Sequence, residues 1–82
     1  MFLHLGSDVV VPLNEVISII NLDKDHSPLN QEFLKTAEEE GFVIQLSEEP
    51  ISCVISAKHI YLSPISVRTL SKRARDGHLT RD

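Results

Sequence analysis

The chain opens with large apolar residues around a single polar position. Phe2, Leu3 and Leu5 surround His4, and Gly6-Ser7-Asp8 then breaks the run. Val9-Val10-Val11 follows, β-branched throughout, as a half-buried strand prefers. Pro12 cannot donate to a sheet ladder, so it ends that strand or sits at an edge. Residues 2–11 therefore read as a β-hairpin. Residues 16–22, Val-Ile-Ser-Ile-Ile-Asn-Leu, are mostly β-branched and apolar. They read as a third strand, with a short helix as the alternative. A polar stretch, Asp23 to His26, separates them from a change of period.

Ser27-Pro28 is a helix start. A serine can accept from the free N–H groups of the first turn, and proline there loses nothing by lacking its own. Leu29, Phe33, Leu34 and Ala37 fall on one face at helical spacing. Gly41 closes the helix, because glycine readily takes the left-handed conformation of a C-terminal cap. Glu38, Glu39 and Glu40 oppose the helix dipole there, at a cost of about a few tenths of a kcal/mol each. Residues 42–46 and 51–55 read as two strands joined by Ser47-Glu48-Glu49-Pro50 as a hairpin loop, and 60–62 as a short strand. A second helix begins at Ser63-Pro64 or at Ser66 and runs to about Ala74, ended by Asp76-Gly77.

The predicted order is β-β-β-α-β-β-β-α. It describes a small α+β domain, mostly antiparallel sheet with two helices. With 82 residues the chain forms one domain, 1–82, in which about 77–82 is a loosely ordered tail. So short a chain buries a modest share of its surface and is marginally stable alone. Cys53 is the only cysteine, which excludes an internal disulfide and leaves subunit contacts as a route to stability. The lone cysteine, the absence of a charged leader before an apolar run and the absence of a membrane-length apolar stretch together predict a cytoplasmic protein.

Charge adds an asymmetry. The formal net charge is −4. Residues 1–64 carry ten acids against three bases, and residues 65–82 carry five bases against two acids. An acidic body with a basic end attracts either an anionic partner or its own neighbour in a head-to-tail assembly.

Catalytic chemistry finds little support. His4, His26, His59 and His78 have no cysteine or second histidine at zinc spacing. Nothing near Cys53 would lower its pKa, so it reads as a buried, inert thiol. There is no nucleophile elbow and no phosphate-cradling glycine loop, and three glycines leave little material for one. The acidic run at 38–40 and the pair at 48–49 read as solvated surface. No catalytic residue, cofactor or metal is predicted.

The second helix is the best-defined feature. At 100° per residue, Arg68, Lys72 and Arg75 fall within about 60° of one another, and Arg73 points elsewhere. Val67, Leu70 and Ala74 form the apolar stripe. Such a basic ridge can contact nucleic-acid phosphates. It can equally be a solvated face, or pair with acids of a neighbouring subunit.

Several segments resemble a known family. They are Met1-Phe-Leu-His-Leu-Gly6 leading into Val9-Val-Val11, Ser27-Pro28 with Glu32-Phe33-Leu34-Lys35, Ile60-Tyr-Leu-Ser-Pro64, Thr69-Leu70 and Lys72-Arg73-Ala74. In order and spacing, over nearly the whole chain, they are similar to the extracellular matrix regulatory protein B family of spore-forming Firmicutes. The resemblance implies a regulator of matrix (biofilm) genes, related to a DNA-binding activator that assembles into a closed ring. By that likeness this chain would be a protomer of a homo-oligomeric ring. In the related activator an arginine pair in the loop between the two middle strands contacts DNA. The matching loop here holds Glu48 and Glu49, which repel phosphate.

The DNA-facing candidates are therefore Arg68, Lys72, Arg73, Arg75 and Arg81. The alternative function is a protein–protein adaptor that leaves DNA alone and holds a basic partner through Glu38, Glu39, Glu40, Glu48 and Glu49. A small enzyme or metal protein is a third class that these residues do not support.

Overall fold

Alternation of inward and outward residues decides how the strands stack. The computed structural model describes residues 1–22 and 28–75. The predicted cap Ser27, the side chain of Leu29, the stop at Asp76-Gly77, Arg81, His26, His78 and the tail 77–82 lie outside the described residues.

Strands β1 (Phe2–Gly6) and β2 (Val9–Pro12) form the expected antiparallel hairpin, with Leu3 opposite Val11 and His4 opposite Val10. Ser7 and Asp8 make the turn with φ of 50° and 62°. Two left-handed central residues give a turn whose twist matches that of the flanking strands. Leu3, Leu5 and Val11 point inward and are buried, whereas Phe2, His4 and Val10 point outward.

After a 3-10 turn at Leu13–Glu15, strand β3 (Val16–Asn21) enters a second sheet with β4 (Val43–Gln45), β5 (Ser52–Ser56) and β6 (Ile60–Ser63). The spatial order is β3-β5-β6-β4. Pairing is antiparallel for β3 with β5 and β5 with β6, and parallel for β4 with β6. The register slips by one residue between Val16 and Ser18. The extra residue, Ile17, is turned out to solvent, as a bulge does.

The loop 47–50 is not the expected hairpin connection. Strand β6 lies between β4 and β5, so the loop spans two strand spacings, about 10 Å. Both of its flanks are tied to β6. The Leu46 N–H donates to the Leu62 carbonyl, and the Ile51 N–H to that of Ser63, each at 2.9 Å.

Helix α1 (Pro28–Glu39) covers one face of this sheet, with Ala37 and Leu34 against Cys53, Ile60 and Leu62. The hairpin and helix α2 (Val67–Arg75) cover the other, with Leu3, Leu5, Val11 and Leu70 against Val54 and Tyr61. The result is three layers. Buried serines join them. The Ser63 hydroxyl donates to the Leu5 carbonyl at 2.7 Å and accepts from the Ile65 N–H at 3.0 Å. The Ser52 hydroxyl donates to the Ile65 carbonyl at 2.6 Å. These bonds satisfy hydroxyls that would otherwise be costly to bury.

One expected core residue is displaced. Phe33 shares the predicted apolar face of α1, yet it remains 46 % exposed. The helix seats through Leu34 and Ala37, and Phe33 is left at the margin of an open groove.

Candidate nucleic-acid interface

Helix α2 starts where Ser66 leaves the chain's preceding turn. The Thr69 N–H donates to Ser66 Oγ at 3.2 Å, and the Ser66 hydroxyl reaches Thr69 Oγ1 at 3.0 Å. Of the two starts the sequence offered, Ser66 is the cap. The predicted stripe is the one that packs. Leu70 is fully buried, and Val67 and Ala74 are half-buried.

With that stripe fixed against the hairpin and sheet, the opposite side of the helix is set. Arg68, Lys72 and Arg75 are all exposed. They lie roughly 140° around the helix from the stripe, at 100° per residue. The helix contains no acid, and Lys72, Arg73 and Arg75 occupy its last turn. Cations there are favoured by the helix dipole, whereas Arg68 in the first turn faces its positive end. Arg73 is separated from the ridge, as its angle predicts. It is half-buried, and its guanidinium donates to the His4 carbonyl at 3.1 Å, pinning α2 to β1.

The acids form two groups at opposite ends of β4. Glu38 and Glu39 end α1 and Glu40 follows, all exposed. Their helix closes on Gly41, φ 81°, with the Phe42 N–H on the Ala37 carbonyl and the Gly41 N–H on that of Glu38. This paired pattern satisfies carbonyls the helix end leaves free. Glu48 and Glu49 are exposed in the loop after β4, where the Glu49 N–H donates to Ser47 Oγ at 3.2 Å.

The histidines are apart. His4 is exposed on β1, and His59 lies in the β5–β6 turn with its ring 5.9 Å from that of Tyr61. Among the described residues no three His, Cys, Asp or Glu side chains are grouped as a metal would need. Cys53 is buried in β5, and burial pushes its thiol up to about 11. It is far from the thiolate that nucleophilic or redox chemistry requires. No helix among the described residues is long and apolar enough to cross a membrane.

Sequence reasoning missed a groove of about 380 Å³ on the α1 side. Phe33, Ala37 and Glu40 of α1 and its end, with Phe42, Ile55 and Ile60, line it. The signal was present in Phe33 and Phe42, but spacing placed Phe33 on the apolar face of α1 and Phe42 at the start of a strand.

Two comparisons bear on this arrangement. The family described as extracellular matrix regulatory protein A-like (RemA-like) matches residues 2–74. Extracellular matrix regulatory protein B of Bacillus subtilis (strain 168) is 37 % identical over 75 residues, which cover 92 % of this chain and 91 % of that protein. The matched span takes in all six strands, α1 and nearly all of α2, and the chain belongs to the RemA-like family of extracellular matrix regulatory proteins.

Proposed function

We propose that this protein is a non-enzymatic cytoplasmic regulator of matrix genes that binds DNA through α2 as a homo-oligomeric ring. One observation carries the reading: Arg68, Lys72 and Arg75 stand exposed on one face of an acid-free helix whose other face is locked by Leu70. A rigid row of three cations suits phosphate contact, and phosphate contact needs no base-specific chemistry. Repetition around a ring would raise avidity without new contacts. Family membership supports the regulatory role. Glu48 and Glu49 are exposed after β4, and their charges would repel phosphate at that loop. Arg73 serves α2 by holding it to β1, and Arg81 would extend the basic end.

The test is fluorescence anisotropy with a labelled duplex of about 30 base pairs over a salt series. Affinity should fall steeply with salt. Replacing Arg68, Lys72 and Arg75 together by Ala should weaken binding and flatten the salt slope by about 0.9 for each phosphate no longer neutralised. Salt-insensitive binding, or none to any duplex, would overturn the reading.

The second reading is an adaptor for a basic protein, favoured by the exposure of all five of Glu38, Glu39, Glu40, Glu48 and Glu49. It requires that Glu48→Lys with Glu49→Lys abolish capture of a basic partner, and an unchanged set of partners would exclude it.

A further inference from the structure

Among the described residues the four-stranded sheet ends in two open edges, β3 and β4. The two are not alike. Strand β4 has three residues and lies between the acids at 38–40 and those at 48–49. Strand β3 has six residues, the most of any described strand, with no charge and no proline among them. Charges and prolines are the usual guards of a sheet edge. Here the bulge at Ile17, whose side chain is 69 % exposed, is the one irregularity. The Leu22 N–H donates to the Ile51 carbonyl, and alternation then makes Ile20 and Ser18 the residues bonded to β5. The backbone N–H and C=O of Ile19 therefore face the open side.

Helix α2 overlooks this edge. On that face of the sheet the hairpin packs over β6, while α2 packs against β1 and β3. Val16 and Ile19 are the β3 residues that join the cluster around Leu70. Arg73 bonds to β1 and so marks the hairpin flank of the helix. At 100° per residue Arg68 and Arg75 lie about 140° and 160° around from it, on the flank over β3. Ser71, short and exposed, lies at an angle between them and the stripe and leaves the edge uncovered. Neither α2 nor β3 contains an acid. Glu15 stands exposed before the strand, and Asp23 and Asp25, with Lys24 and His26, follow it in the sequence. Acids thus bracket β3 along the chain, and cations overlook its middle.

We infer that the open edge of β3 takes up an extended acidic segment of a partner protein as a fifth strand of the sheet. Its backbone pairs with that of Ile19. Its side chains alternate between the two faces. On the α2 face carboxylates reach Arg68 and Arg75, and on the other face apolar residues extend the cluster at Ile20 and Leu22. Backbone bonds supply the affinity of such a contact, and the alternation supplies its specificity. The segment takes two of the three cations assigned above to phosphate. It depends on their exposure, and not on DNA binding or on the oligomer.

A labelled octapeptide alternating glutamate with valine, added to the purified full chain, tests it. Fluorescence anisotropy reads its affinity, and hydrogen exchange by mass spectrometry reads its place. The peptide should bind and slow exchange over 17–21. Its fully N-methylated form keeps the charge but cannot donate, and should not bind. Arg68→Glu with Arg75→Glu should weaken the glutamate peptide by about fivefold or more, as the loss of two exposed ion pairs implies, and should favour a peptide with lysine in place of glutamate. No binding, equal binding of the N-methylated form, or protection confined to the groove beside Phe33 and Phe42 would overturn the inference. Indifference to the charge reversal would overturn the acidic character of the partner. Binding that lowers the particle mass in light scattering would give the edge to a second copy of this chain, and would overturn the inference as well.

Discussion

Cys53 ties one side chain to the pH range in which the fold holds. Its thiol ionises near 9.0 when solvated and is pushed up to about 11 by burial. Between these values the unfolded chain gives up its proton while the folded chain keeps it. Folding is therefore penalised as pH rises through that window, and below about 9 the residue contributes no pH dependence. Urea titrations at pH 8 to about 11 should show the wild type losing stability faster than Cys53→Ala across that window, with parallel curves below it. The burial of this thiol was legible from its apolar strand. Phe33 was not legible in the same way. Helical spacing gives the angle of a side chain about its own axis, but whether a neighbour fills the space at that angle is a tertiary fact.

At the scale of the element, one end of each helix was written plainly in the sequence. Ser66 supplies a hydroxyl to a first turn that would otherwise leave its N–H groups unpaired, and Gly41 supplies the left-handed residue that ends α1. Removing the cap should be felt throughout α2, because Leu70 depends on the helix to reach the core. Ser66→Ala should cost about 1 kcal/mol in urea unfolding, and Ser66→Asp should recover most of it. The basic ridge was equally legible, since Arg68, Lys72 and Arg75 share one face by spacing alone. The partner of β4 was not. Strands 43–45 and 52–56 adjoin in sequence, and sequence neighbours usually pair. Nothing local reports that Ile60–Ser63 will come between them.

Across the whole molecule, stability should be graded by layer. Strand β5 has a paired neighbour on each side, and Cys53 and Val54 are fully buried on opposite faces. Its amides should exchange with solvent only on global unfolding. Those on the free edges of β3 and β4 should exchange sooner, which hydrogen exchange read by mass spectrometry or NMR would rank directly. The opposite order would mean that the layers do not share one cooperative core. The α+β composition and the six strands were readable from the chain. Their arrangement in two sheets depended on which faces the hairpin and α1 chose.

The position of β6 also constrains how the fold is reached. During synthesis β4 and β5 leave the ribosome before β6, joined by a short loop and antiparallel to one another. Their cheapest early pairing is with each other, since closing a short loop costs least entropy. The native sheet requires that pairing to be given up so that β6 can slide into the gap and bond to both. Wherever that early pair forms, an exchange of partners at the centre of the sheet is expected as a slow refolding phase, with the chain open to misassembly until Ile60–Ser63 arrives.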